Sequence, residues 1–180
     1  MADFKIKFVF GNVDDCLRRQ LQIFWHENRQ VYQQEISRQA LAINHSGRAI
    51  QTKRVLSRQP ASIACDRSGN IVGIIFVLLR ELDASLKLGS HAYFLRIYVC
   101  EGWRYPQLTN QLLLSFLKEF SSRADLRDHR ASCLIAENIN TRLHNSFIRK
   151  YFIKLGFQML GVNDSASEIW SLKLKTSYIL

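Results

Sequence analysis

Polar and apolar residues alternate from Met1 to Phe10, with Phe4, Ile6, Phe8 and Phe10 on one side and Lys5 and Lys7 on the other. A period of two over that length predicts a half-buried strand. Asp14 and Asp15 stand where a helix would be capped, because a short carboxylate accepts from unpaired first-turn amides. Behind them Cys16, Leu17, Leu21, Phe24 and Trp25 recur at three- and four-residue intervals. A second helical stretch is expected from about Asn28 to Ile43, broken by Asn44-His45-Ser46-Gly47, and a polar, basic loop then leads to Pro60.

Ala61 to Cys65 and Ile71 to Leu79 read as strands joined by Asp66-Arg67-Ser68-Gly69-Asn70, a link with the length and composition of an antiparallel hairpin. A third strand, Ala92 to Cys100, runs into Glu101-Gly102-Trp103-Arg104-Tyr105-Pro106. Leu108, Leu112, Leu113, Phe116, Leu117 and Phe120 then repeat with helical period. After the charged link Arg123 to Arg130 come a strand, Ala131 to Ala136, and a helix with Phe147, Ile148, Tyr151, Phe152 and Leu155 on one face and Gly156 as its C-cap. Phe157 to Val162 and Ile169 to Leu174 complete the strands. A strand-helix-strand crossover makes parallel neighbours and the hairpins make antiparallel ones, so the sheet should be mixed and the class α/β.

Composition narrows the class further. With 47% hydrophobic and 22% charged residues the chain has enough apolar surface to fold, and 180 residues suit one domain over 1–180. The longest apolar run, Ile71 to Leu79, is about half of what a membrane-spanning helix needs, so no membrane partner is expected. The start lacks a basic segment followed by an apolar one, which points to a cytoplasmic protein. Cys16, Cys65, Cys100 and Cys133 form no close pair, and His26, His45, His91, His129 and His144 show no ligand spacing, so no metal is expected.

The net charge of +10 and pI near 9.8 fit a chain that handles a polyanion: nucleic acid, an acidic surface or a phosphorylated cofactor. Basic residues gather loosely at Arg48, Lys53, Arg54 and Arg58 and at Arg149, Lys150 and Lys154; a solvated basic surface accounts for them equally well.

Two stretches carry a family resemblance. Val99-Cys100-Glu101-Gly102-Trp103-Arg104-Tyr105-Pro106-Gln107-Leu108-Thr109-Asn110-Gln111-Leu112-Leu113 lies over a strand-ending valine, an aromatic, Arg or Gln, x, x, Gly, x, Gly or Ala, and a leucine-rich helix. Asn145-Ser146-Phe147-Ile148-Arg149-Lys150-Tyr151-Phe152-Ile153-Lys154-Leu155-Gly156-Phe157 follows "N, x, x, A, x, x, L, Y, x, K, x, G, F". Together with the order of elements, they resemble the GNAT superfamily of acyl-CoA-dependent N-acyltransferases. The resemblance implies a central twisted mixed sheet of about seven strands flanked by about four helices.

It also implies a chemistry. A loop entering a helix N-terminus aims backbone N–H groups and the positive end of the helix dipole at the pyrophosphate of acetyl-CoA or another acyl-CoA. Arg104 would be a cationic or loop-bracing partner there, and the amides of Gln107, Leu108, Thr109 and Asn110 the donors. Tyr105, Gln107 and Thr109 hold places where glycine is usual, and Pro106 stiffens the loop. The backbone of Ile97, Tyr98 and Val99 corresponds to the strand that receives the thioester arm. Asn145 either bonds that arm or caps its helix. The family's acidic tyrosine falls on Phe152, with Tyr151 one residue earlier and about 100° round the helix as the candidate catalytic acid. Tyr93 holds the place of the family's glutamate base and no carboxylate replaces it, which leaves a relayed water, His91, deprotonation in bulk solvent or Glu137 as the candidates.

The expected reaction is transfer of an acetyl or other acyl group to a primary amine by direct attack, the acceptor being a small-molecule or peptidyl amine or an aminoacyl-tRNA, and the protein a monomer or homodimer. The departures from the motif keep a second reading open: a catalytically degenerate GNAT-fold module that binds CoA or a polyanion such as RNA.

Overall fold

The computed structural model describes residues 3–41, 52–163 and 166–174. Seven strands form one sheet in the order β1-β2-β3-β4-β5-β7-β6. They are β1 (Lys5–Phe8), β2 (Thr52–Cys65), β3 (Ile71–Leu82), β4 (His91–Val99), β5 (Ala131–Asn138), β6 (Gln158–Val162) and β7 (Glu168–Lys173). β1 pairs antiparallel with β2, β4 parallel with β5, and β7 antiparallel with both β5 and β6, so the sheet is mixed as expected. The α-helices among the described residues are α1 (Asp15–Leu41), α2 (Pro106–Ser122) and α3 (Ser146–Lys154).

Two expectations need correction. The two helices expected at the start of the chain are one continuous helix, α1, because no glycine or proline interrupts it and the Asn28 side chain bonds back to the Phe24 carbonyl at 2.8 Å instead of ending it. The basic loop expected before Pro60 is, from Thr52 on, the first half of β2. Val55 and Leu56 are exposed there, so its side chains carry no period-two apolar signal. The breaker Asn44-His45-Ser46-Gly47 and Arg48 lie outside the described residues.

The chain divides into two compact units. The first comprises Met1–Gln33, Arg58–Val77 and Arg96–Arg127. Here Asp14 caps α1, its carboxylate accepting from the Leu17 amide at 2.7 Å. The β2–β3 link closes as a hairpin through Asp66 N–H to the Asn70 carbonyl, with Gly69 at φ +86, a conformation that favours glycine. α2 buries Leu108, Leu112, Leu113, Phe116, Leu117 and Phe120, the face that its sequence period marks. Full burial of such side chains stabilises by about 1.5–3 kcal/mol each. The helix sits close over β3 because Gly73 has no side chain: a Cβ there would lie 3.3 Å from Leu108 Cδ2.

The second unit comprises Gln34–Ser57, Leu78–Leu95 and Asp128–Leu180. Its core gathers Leu82, Ala92, Phe94, Cys133, Ile135 and Ile169. α3 ends in a Schellman motif: Phe157 N–H bonds the Phe152 carbonyl at 3.0 Å, Gly156 N–H bonds that of Ile153 at 2.9 Å, and Gly156 has φ +90. Before β5, Asp128 accepts from the Arg130 amide and, through both carboxylate oxygens, from the Nε and Nη2 of its guanidinium. Those bonds, against the opposing effect of partial burial, hold its carboxyl at about 2 instead of 3.8. A depressed carboxylate contributes stability that is complete above the unfolded value and disappears as pH falls through the folded one. Asp128→Asn is therefore expected to cost about 1 kcal/mol in urea unfolding at neutral pH and to flatten the acid limb between 3.8 and about 2. An acid limb identical to that of the parent would place this titration elsewhere.

Candidate functional site

In the first unit the strand end and the following helix set the geometry. The ladder of β4 with β5 ends at Leu95 and Ala136, while β4 itself continues through Arg96, Ile97, Tyr98 and Val99. Tyr98 is buried and its hydroxyl donates to Asn28 Oδ1 at 3.2 Å; Cys100 N–H bonds the Val72 carbonyl. The Val99 carbonyl accepts from Arg104 Nε at 3.1 Å, so Arg104 closes the five-residue turn as a brace, its guanidinium 6.0 Å from the Tyr98 ring.

A 3-10 turn over Glu101–Trp103 then delivers the chain to Pro106 at the first position of α2. Tyr105 is the N-cap, at φ −91, and no side chain caps the helix. The absence of glycine costs nothing conformationally at that position, because the backbone is extended. Tyr105 projects half exposed, its ring edge-on to Trp103.

Of the amides expected to face an anion, that of Thr109 is taken by the Tyr105 carbonyl at 3.3 Å. Asn110 stands a full turn in, where the helix ladder takes its N–H. Pro106 has none. Gln107 and Leu108 remain as the first-turn donors, backed by the positive end of a seventeen-residue helix. Leu108 is fully buried, so the Gln107 amide and the exposed Arg104 side chain are the groups of this joint that an anion could approach.

In the second unit Asn145 caps α3: its Oδ1 accepts from Ile148 N–H at 3.0 Å and its amide donates to the Arg142 carbonyl. The capping reading of Asn145 therefore holds, and one of its two amide hydrogens is already used. Tyr151 is half-buried, and burial pushes its hydroxyl up, which keeps it protonated at neutral pH. Phe152 packs its ring 5.3 Å from Phe157 and 5.1 Å from Trp170.

The candidates for a general base are all engaged. Tyr93 is buried and its hydroxyl accepts from the Asp128 amide at 2.8 Å; His91 Nδ1 lies 2.8 Å from Ser90 Oγ; Glu137 accepts from Asn163 at 3.1 Å. Among the described residues no cluster of His, Cys, Asp or Glu could hold a metal, and no helix is long and apolar enough to cross a membrane.

The sequence reading missed a group in the first unit. Trp25 and Tyr32 lie on one face of α1, one heptad apart, with ring centroids 5.2 Å apart. Trp25 is also 6.0 Å from Phe76 and 6.2 Å from Tyr98, and Tyr32 is 6.1 and 5.4 Å from the same two rings. Beside them Leu21, Trp25, Arg58, Pro60, Ile74 and Phe76 line an open recess of about 150 Å³. The Arg58 guanidinium lies 4.2 Å from the Phe76 ring and 5.6 Å from that of Trp25. The i, i+7 spacing was visible in the sequence, but only to a reading that kept α1 unbroken.

No protein-family model and no curated protein matches the chain. Solved structures do. A GNAT-family acetyltransferase from Streptococcus pneumoniae superposes with a TM-score of 0.53 at 12% identity, covering 96% of this chain and 100% of that one. A second, from Listeria monocytogenes 4b F2365, gives 0.52 at 15% identity, covering 97% and 98%. At these identities the likeness fixes the fold.

Proposed function

We propose that this chain, which has the fold of the GNAT acetyltransferases, moves an acetyl or other acyl group from acyl-CoA to a primary amine. The observation that carries the reading is the β4–α2 joint: a helix N-terminus without a side-chain cap, with the exposed Gln107 amide, braced by Arg104. That is the chemistry of a pyrophosphate site, where fixed N–H dipoles and a cation meet an anion without reorganising. The strand backbone at Ile97 and Tyr98, beyond the last β4–β5 pair, would receive the extended arm that follows the phosphates. Val99 contributes less, because its carbonyl already accepts from Arg104.

Bound acyl-CoA would supply an activated thioester carbonyl. The amine nitrogen would form the new bond to that carbon and give up its proton to water, the carbon–sulfur bond would break, and the thiolate would take a proton. We assign the proton donor's role to Tyr151, whose half-buried hydroxyl on α3 is protonated at neutral pH as an ordinary tyrosine's is. Tyr151→Phe should lower kcat about a hundredfold with little change in KM. Full activity in the variant would return the residue to a packing role.

Calorimetric titration with acetyl-CoA and free CoA tests the cofactor site directly. Micromolar binding that weakens at raised salt supports it. No heat and no shift in melting temperature would move the reading to a binding module of the same fold.

A further inference from the structure

The geometry points to the recess beside Trp25 as the site of an acceptor that joins an apolar body to a carboxylate. Its volume, about 150 Å³, matches one aromatic ring or branched aliphatic side chain. Its walls are Leu21, Ile74 and the faces of Trp25 and Phe76, so the group it rewards is apolar.

The charge at its mouth decides the rest. Aromatic faces ordinarily attract cations, but here the guanidinium of Arg58 already covers Phe76 and Trp25. A bare ammonium entering the recess would meet that resident charge, reinforced by Arg96, which acts with Arg58 on Tyr32. Among the described residues no acidic side chain lines the recess.

The guanidinium carbon of Arg58 lies 4.2 Å from the centre of the Phe76 ring, and its charge also acts on the Tyr32 hydroxyl. The N–H groups round the rim of the guanidinium suit a carboxylate, which two parallel bonds would fix in orientation. Tyr98, tied to Asn28, extends the aromatic wall towards the end of β4. An α-amino acid with an aromatic or branched side chain meets all of these requirements, whereas a polyamine or a lysine-rich peptide does not.

As an acceptor site this rests on the acyltransferase reading; as a binding site it does not, and the test separates the two. The full chain, without CoA, is titrated with 3-phenylpropionate, L-phenylalanine and phenethylamine, with calorimetry as the readout. The two carboxylates should bind, phenethylamine at least tenfold more weakly. Arg58→Gln should erase that preference, while Arg58→Lys, which keeps the charge and loses the fork, should retain part of it. Phenethylamine binding as tightly as the carboxylates, an unchanged preference in Arg58→Gln, or no binding of any of the three to the folded protein would overturn the inference. If CoA binds and the anions do not, the acyltransferase reading survives alone. If the anions bind and CoA does not, the recess survives without it.

Discussion

Arg104→Glu should weaken acetyl-CoA binding by about thirtyfold or more. On the proposed function the substitution would remove a charge-assisted hydrogen bond to phosphate, worth about 2 kcal/mol, and add a repelling carboxylate. It also frees the Val99 carbonyl, which now accepts from Arg104 Nε at 3.1 Å, and so loosens the turn that presents the Gln107 amide. Arg104→Lys separates the two contributions: it keeps the charge but loses the planar fork that braces the turn. Titrations at low and raised salt read both, since the charge contribution is screened and the brace is not. Affinity unchanged in Arg104→Glu would remove this arginine from the site and with it the main cation beside the helix terminus.

Glu168→Ala should destabilise the protein by about 3 kcal/mol in urea unfolding. Glu168 is 0% exposed at the start of β7. Its carboxylate accepts from Arg149 Nε at 2.6 Å, from the Trp170 indole at 3.2 Å and from Asn138 at 3.4 Å. Burial pushes its carboxyl up, but these bonds prevail and hold it below the ordinary range. The alanine variant leaves a buried indole N–H and a buried amide without an acceptor. Arg149→Ala should cost less, because Arg149 is 47% exposed and water replaces part of what it gave. If the two variants cost the same, the ion pair carries the stability and the buried donors do not. Because the folded carboxyl is depressed, this contribution is complete above the unfolded value near 4.5 and fades as pH falls below it.

Sequence pattern reached the fold where burial is one-sided. The stripe from Leu108 to Phe120 and the continuous apolar run of β3 each announce the element that forms. It failed where pairing or continuity decides. The first half of β2 is a strand with exposed side chains, and α1 passes Asn28 without breaking because the side chain satisfies the helix's own carbonyl. The site followed the same division. The joint after β4 was legible because strand, turn and helix are contiguous, but which amides remain for an anion depends on Pro106 and on the bond from Thr109 to Tyr105. The recess was not legible. Arg58 stood in a segment read as loop, and its neighbours Trp25 and Phe76 come from elements far apart in the chain.

Phe152 shows how one side chain can be bound to two duties at once. It is the residue whose carbonyl receives the Phe157 amide at the end of α3, and its ring rests on that same Phe157 as well as on Trp170. The stop of the helix and its aromatic anchor are thus a single unit, and a polar group on this ring would have to find water or a partner among aromatic faces. The position that the resemblance assigns to a tyrosine has become architecture. Replacing Phe152 with a polar residue is therefore expected to loosen the end of α3 together with its contact to Trp170.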